Sequence, residues 1–203
     1  MSLFDLLWPP RCAACDVPSR AVFCASCALG LEAAPPLSVP GLGAIAACFR
    51  YEGPGERALF RLKYDRELSV GARLASLVAG AAASLPAYDL IAPVPLSRAR
   101  LWRRGMNQSV VLAAEIPGVR DLRAIRRLGG GVAQVGAGRL ARAAQVEGRF
   151  VADPRRVGGR RVLVVDDVVT TGATLGAVAG ALLSAGAARV SAVTLLAAEA
   201  RRC

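Results

Sequence analysis

The sequence contains no histidine, a single lysine (Lys63) and a single asparagine (Asn107) in 203 residues. Without histidine there is no imidazole general base, no imidazole metal ligand and no Ser-His-Asp triad. With one lysine, nearly all positive charge is carried by arginine: Lys+Arg total 26 against 15 Asp+Glu, a formal charge of +11. Aromatic residues make up only 5% of the chain, and only Trp102 falls inside an arginine cluster, so no base-stacking platform is evident. Long apolar runs are missing as well. The charge-free stretches Leu74–Leu85 and Ala173–Leu183 are shorter than the ~18 residues that a membrane-spanning helix takes, and the high mean hydropathy comes largely from alanine.

What is present bounds the answer further. Hydrophobic residues make up 54% of the chain, enough for a packed core, and the length suits one domain plus a small module. The Ala-, Gly- and Arg-rich composition is what a GC-rich genome encodes, and against it the lone lysine and asparagine stand out. The net charge favours a polyanionic substrate or partner. The amino-terminal stretch Met1–Pro10 has no positive region and is interrupted by Asp5, so it does not read as a secretory signal. A cytoplasmic protein without membrane insertion is expected, in a compartment that disfavours disulfides.

Four of the cysteines form two knuckles, Cys12-Ala-Ala-Cys15 and Cys24-Ala-Ser-Cys27. Two residues between thiolates let a tight turn aim both sulfurs at one ion, and two such turns complete a tetrahedron. A structural zinc fits this spacing, with two disulfides as the alternative. Cys48 sits in an apolar run and reads as a buried small hydrophobe.

Pro35, Pro36 and Pro40 with Gly41 and Gly43 mark a break after the cysteine segment. The expected division is a zinc-ribbon module over 1–43 and a second domain over 44–203. Strands are expected at Ala44–Tyr51, Tyr88–Val94 and Leu122–Arg127, and helices at Glu56–Lys63, Leu68–Leu85 and Gln108–Glu115. Gly129–Arg149 has no clear period and reads as a long mobile loop. The carboxyl-terminal part is clearest: a strand at Arg161–Val165, a helix at Thr174–Ala185 stopped by Gly186, and a strand at Val190–Leu196. This βαβ unit predicts an α/β fold with a parallel sheet flanked by helices.

The chemistry lies in Val162–Leu175. Asp166 and Asp167 fall where a buried strand reaches the carboxyl edge of its sheet, the edge at which open α/β sheets bind ligands. Thr170, Thr171, Gly172, Ala173 and Thr174 then turn into a helix. Such a turn offers backbone N–H groups, hydroxyls and the positive end of a helix dipole, which together suit a phosphate. A sugar phosphate satisfies both features, its phosphate on the loop and its vicinal hydroxyls on the carboxylates.

These residues resemble the phosphoribosyl pyrophosphate (PRPP) signature of type I phosphoribosyltransferases. The wider chain is similar to the ComF family, competence-associated proteins that join an amino-terminal zinc ribbon to such a domain. The similarity extends to Leu62-Lys63-Tyr64, to Pro93–Arg100 and to Arg103-Arg104-Gly105-Met106-Asn107-Gln108-Ser109. The resemblance implies a type I phosphoribosyltransferase fold, and it implies that Asp166 and Asp167 bind the ribose hydroxyls and Thr170–Thr174 the 5-phosphate. It places Lys63, Arg98, Arg100, Arg103, Arg104, Asn107 and Gln108 near pyrophosphate. For the arginines a solvated basic face or a nucleic-acid patch is the alternative, and for Lys63 a surface side chain. Mg²⁺ would accompany PRPP, and zinc would occupy Cys12, Cys15, Cys24 and Cys27.

The activity so implied is transfer of phosphoribosyl from PRPP to an unidentified nitrogen acceptor. The alternative is a non-catalytic, PRPP-sensing accessory protein of natural transformation that engages single-stranded DNA or a DNA-uptake helicase. The family's segment corresponding to Gln134–Phe150 is only partly matched, with Ala137, Gly138 and Gln145 departing from its pattern and Gly129-Gly130-Gly131 as an unusual lead-in.

Overall fold

In the computed structural model, which describes residues 9–65, 67–128 and 150–198, fourteen elements follow one another. They are α1 (Ala25–Leu29), β1 (Ala44–Arg50), α2 (Gly53–Phe60) with a π-helical turn at Arg61–Asp65, α3 (Leu68–Ala82), β2 (Leu90–Pro93) and α4 (Arg98–Arg104). The chain continues through α5 (Gln108–Leu112), β3 (Ile125–Arg127), β4 (Phe150–Ala152), α6 (Pro154–Val157), β5 (Arg161–Val169), α7 (Ala173–Ser184) and β6 (Arg189–Ala197). A four-stranded sheet of order β1-β6-β5-β2 is parallel throughout, and β3 and β4 form a separate antiparallel pair.

The central strand β5 shows why the sheet is buried on both sides. Its run Val162–Val165 looks uniformly apolar, but successive side chains point to opposite faces. Leu163 and Val165 pack with Leu59 of α2, Leu74 and Val78 of α3 and Leu112 of α5. Val162 and Val164 pack on the other face with Leu175, Val178 and Leu182 of α7 and with Ile125 and Phe150 of the small β-pair. At roughly 1.5–3 kcal/mol for each fully buried aliphatic side chain, this two-sided burial fixes the register of the strand. Helix α5 is pressed against α3 at Gly71, where a Cβ would fall 2.6 Å from Val111 Cγ1.

The cysteine segment is docked on the same core. Phe23 meets Phe49 of β1 edge-on, with ring centroids 5.9 Å apart. Arg61 donates from Nη1 to the carbonyl of Cys12 at 2.8 Å and from Nη2 to Asp16 at 2.6 Å, while its guanidinium also pairs with Glu67. Arg73 of α3 donates to the carbonyls of Ser19, Arg20 and Ala21.

The parallel βαβ unit is present as expected from the sequence. Several element ends lie a few residues from those expected, and two differences have a clear physical reason. Strand β5 continues through both acids to Val169, because β6 offers partners as far as Ala197. The stretch between β2 and α5, where no element was expected, contains α4, capped by Ser97 Oγ accepting from Arg100 N–H at 3.3 Å and closed by Gly105 at φ 74°. The segment Gly129–Arg149 lies outside the described residues. Among the described residues, no helix is long and apolar enough to cross a membrane.

Candidate ligand site at the carboxyl edge of the sheet

Alternation along β5 carries Asp167 to the face that holds Leu163 and Val165, and there it meets the lone lysine. Lys63 Nζ lies 2.7 Å from Asp167 Oδ2, with 15% and 16% of the two side chains exposed. Lys63 sits in the π-helical turn after α2, and such turns recur at functional sites because they re-aim a side chain within a helix. Asp166 Oδ1 accepts from Ser109 Oγ of α5 at 3.0 Å and from the Asp167 N–H at 2.9 Å. Burial, followed by the charge of Asp167, pushes the Asp166 carboxyl up to about 7, against those hydrogen bonds and the Lys63 charge.

Past the acids, residues Val168 to Leu175 wrap a hollow of about 60 Å³. Thr170 and Thr171 are exposed at its rim, and the Thr171 hydroxyl accepts from the Ala173 N–H at 3.3 Å. The loop turns at Gly172, which has φ 78° and rests on Val39: a Cβ there would fall 2.7 Å from Val39 Cγ2. The glycine therefore serves a left-handed turn and a close contact from below. Val39 itself belongs to the proline-rich stretch that follows the cysteine segment.

The segment after β2 approaches the same edge. Asn107 caps α5, its Oδ1 accepting from the Ser109 N–H at 3.1 Å while its Nδ2 donates to the Val94 carbonyl at 3.0 Å. The lone asparagine thus joins the end of β2 to the helix that holds Ser109. Arg120 fixes the far end of α5, donating to the carbonyls of Ala113, Ala114 and Ile116 at 3.0, 2.8 and 2.9 Å. Gln108 is fully buried and accepts from Arg104 Nη1 at 3.0 Å. Arg98, Arg100 and Arg103 lie exposed on α4 with Trp102, which is 89% exposed.

Three participants carried no clear signal in the sequence. Ser109 reaches Asp166 only through the fold. Arg127 of β3 is held over the Phe150 ring at 5.4 Å, and burial together with the charge of Arg100 lowers its basicity, with Asp166 opposing. Two arginines and a carboxylate therefore converge at this edge. The third is an aromatic group: Phe60 and Tyr64 pack ring against ring with centroids 4.6 Å apart, and the Arg104 guanidinium lies 5.8 Å from the Tyr64 centroid. Contrary to the expectation from composition, the basic surface does include ring faces beyond Trp102. The helical spacing of Phe60 and Tyr64, four residues apart, was the available clue.

In the cysteine segment the sulfurs of Cys12, Cys15, Cys24 and Cys27 all lie within 4.8 Å of one another. Cys15 and Cys24 are 3.6 Å apart, close to the ~3.8 Å that separates sulfurs around a tetrahedral ion with ~2.3 Å bonds. The Cys24 N–H donates to Cys12 Sγ at 3.3 Å. Burial opposes ionisation of Cys12, but backbone N–H groups of Cys24, Cys15 and Ala14 outweigh it and bring that thiol down to about 6. Burial and the neighbouring thiols push Cys27 up to about 12. The donor set fits a soft or borderline cation, which would let all four sulfurs carry charge.

A family model described as phosphoribosyl transferase domain matches residues 95–202. The DNA utilization protein YhgH of Salmonella typhi is 33% identical over 150 residues, covering 69% of this chain and 66% of that protein, just under two thirds of its length. YhgH of Salmonella typhimurium is 31% identical over 199 residues, 87% of this chain and 86% of that protein. Among solved structures, the allosteric regulatory enzyme of purine biosynthesis is 23% identical with a TM-score of 0.44, covering 62% of this chain and 26% of that one. The glutamine PRPP amidotransferase from B. subtilis, complexed with ADP and GMP, is 21% identical with a TM-score of 0.43 over the same shares.

Proposed function

The chain belongs to the phosphoribosyl transferase domain family, in the ComF type that its YhgH relatives represent, and from that premise we propose that it binds PRPP and transfers its phosphoribosyl group to a nitrogen acceptor. The observation that carries this reading is the hollow over Val168–Leu175, placed directly after two carboxylates at the carboxyl edge of a parallel sheet. The 5-phosphate takes the loop, and the vicinal ribose hydroxyls donate to Asp166 and Asp167. Arg100 and Arg127, close enough for Arg127 to feel the Arg100 charge, and Arg104 beside Tyr64 would meet the departing pyrophosphate, as guanidinium groups suit. Bound Mg²⁺ would neutralise charge on pyrophosphate and ribose oxygens.

The transfer forms a C1–N bond with the acceptor's lone pair. The C1–O bond breaks, its electron pair leaves with pyrophosphate, and the acceptor's proton passes to a base or to water. The residues contribute by holding the ribose, by stabilising positive charge on the ring through Asp166 and Asp167, and by neutralising the leaving group. The metal ligands Cys12, Cys15, Cys24 and Cys27 serve a structural zinc. In this proposal 1–43 is the metal module and 44–203 the transferase-like domain, with Val39 reaching from the first to support the second.

Calorimetry with PRPP and Mg²⁺ tests the site: binding is expected for the native chain and not for Asp166→Asn with Asp167→Asn. Equal affinity of the double variant overturns the assignment. A screen of PRPP consumption across nitrogen acceptors tests turnover.

One observation favours a second reading alongside the first. Helix α4 buries no residue and presents Trp102 with Arg98, Arg100 and Arg103 to solvent, a combination suited to single-stranded DNA. The relatives' name, DNA utilization protein, accords with a role in DNA uptake. An accessory protein that senses PRPP and contacts DNA or an uptake helicase would show this face and no PRPP consumption. DNA affinity that falls with salt and with Trp102→Ala is its test.

A further inference from the structure

Two arginines fasten the cysteine segment to the rest of the fold, and they are not equivalent. Arg73 of α3 reaches the carbonyls of Ser19, Arg20 and Ala21. Arg61 reaches the Cys12–Cys15 knuckle itself, and its five N–H donors are all met. Nη1 donates to the carbonyls of Cys12 at 2.8 Å and Ala13 at 3.3 Å. Nη2 donates to Asp16 Oδ1 at 2.6 Å and to Glu67, and Nε donates to Glu67 at 3.2 Å. Asp16 closes the knuckle in a left-handed conformation, φ 65°, with its N–H on the same Cys12 carbonyl at 3.1 Å. The Arg61 side chain is only 13% exposed, so it fills a socket rather than forming a surface ion pair.

Arg61 also opens the π-helical turn Arg61–Asp65. Three consecutive residues of that turn go to three different places. Arg61 enters the knuckle, Leu62 is fully buried in the core with Leu59 and Leu74, and Lys63 meets Asp167 at 2.7 Å. Residues two apart in a helix lie on nearly opposite sides of it, at roughly 100° per residue. Leu62 is pinned between them, so a displacement of the Cys12 carbonyl that turns Arg61 also turns Lys63. From this continuity we infer that Arg61 is a positioning residue through which the cysteine knuckle sets Lys63 against Asp167, so that a cation shared by the four sulfurs governs the ligand site. Its consequence rests on the PRPP-binding reading above: metal occupancy tunes PRPP affinity through Lys63. Arg73 holds the same segment from α3, away from the turn that carries Lys63, and lacks this effect.

Lys63 is the only lysine of the chain, so ¹³C-lysine labelling of the full chain with zinc in excess gives a single Cε signal. Asp167→Asn supplies the position of that signal when the ion pair is broken. In Arg61→Ala the signal is expected to move most of the way to that position. Asp16→Asn, which keeps the zinc ligands and tolerates the left-handed turn, moves it part of the way in the same direction. Arg73→Ala leaves it at the native position, and removing zinc from the native chain moves it as Arg61→Ala does. PRPP–Mg²⁺ affinity follows: Arg61→Ala lowers it about fivefold in the native background and no further in Lys63→Met, the non-additivity of two residues acting in series. A native signal in both Arg61→Ala and Asp16→Asn, an equal shift in Arg73→Ala, or a native signal after zinc removal overturns the coupling. An additive loss of affinity in the double variant does so too. If the native chain binds no PRPP, the ligand reading falls and the lysine signal still decides the coupling.

Discussion

Lys63 Nζ and Asp167 Oδ2 lie 2.7 Å apart and largely out of water, the lone lysine of the chain set against one of the two acids of the candidate site. Replacing it with methionine keeps the stem and removes the charge. The Asp166–Asp167 pair then loses its nearby cation, and the Asp166 carboxyl becomes easier to protonate. Lys63→Met is expected to weaken PRPP–Mg²⁺ binding on the order of tenfold, about 1.4 kcal/mol. The loss should grow as pH falls from 8 to 6. Calorimetry at three pH values checks this, and an affinity equal to native at pH 6 would show that the Lys63 charge does not oppose protonation of Asp166.

Asp166 gives the protein an unusual dependence of stability on pH. Its carboxyl titrates at 3.8 when unperturbed and at about 7 in the fold. The folded state therefore binds the proton more tightly than the unfolded state does. The favourable contribution is complete below the unfolded value and is lost as pH rises through the folded one, between about 4 and 7. Asp166→Asn keeps an oxygen for Ser109 and for the Asp167 N–H but removes the charge. Thermal melts should show this variant more stable than native at pH 8, with the difference shrinking at pH 5, even though its ligand binding is lost.

Val39 and Gly172 couple the proline-rich stretch to the Val168–Leu175 loop. Gly172→Ala puts a methyl group 2.7 Å from Val39 Cγ2 at a backbone φ of 78°. The left-handed residue costs roughly 1–2 kcal/mol and the overlap roughly 1–3 more. Adding Val39→Ala removes the overlap but not the backbone cost. Chemical denaturation of both single variants and the double variant should give a coupling energy of about 1 kcal/mol or more in the sense of partial rescue. Strict additivity would mean that the two residues do not touch in solution.

Metal removal should unfasten the cysteine segment. Four sulfurs within 4.8 Å of one another can share one cation, and the segment's own core is small. Chelation is expected to lower the melting temperature and to release one zinc per chain, read with a colorimetric zinc indicator. Arg61→Ala removes the donors to Cys12 and Asp16, so it should release zinc at a lower chelator concentration than the native chain. A native melting curve in full chelator would contradict the zinc assignment.

How much of this was legible in the sequence depends on how local each signal is. Strand β5, α7 and β6 announce themselves because both faces of β5 are buried, which makes an unbroken apolar run, and because Gly172 and Gly186 punctuate the helix between them. The acids and the threonine loop share that stretch and were read with it. Helix α4 has no apolar period, since it buries nothing. Only Ser97 and Gly105 mark its ends, so the sequence gives no helix signal there. Ser109, Arg127 and the partner of Lys63 were out of reach for a different reason. Their roles come from contacts that the sheet order brings together, and no spacing in the sequence encodes them. Asn107 was noticed for its rarity, whereas its hydrogen bonds show it acting as a cap and a tether.

That double role of Asn107 can be separated by its acid. Asn107→Ala loses the cap on α5 and the bond to Val94 together, and should destabilise by about 1–2 kcal/mol at any pH. Asn107→Asp retains the oxygen that accepts from the Ser109 N–H. When ionised, it sets a second oxygen against the Val94 carbonyl where an N–H used to donate. Two acceptors facing each other in a half-buried site should cancel the gain from the cap, leaving the variant no more stable than Asn107→Ala at pH 8. Once the aspartate is protonated its O–H can donate to Val94 while its other oxygen still caps the helix, restoring both bonds. The deficit of Asn107→Asp relative to native should therefore shrink as pH falls toward 4, while that of Asn107→Ala stays constant. Melting curves of the two variants across this range would separate the tether from the cap, and parallel curves would leave Asn107 with the cap alone.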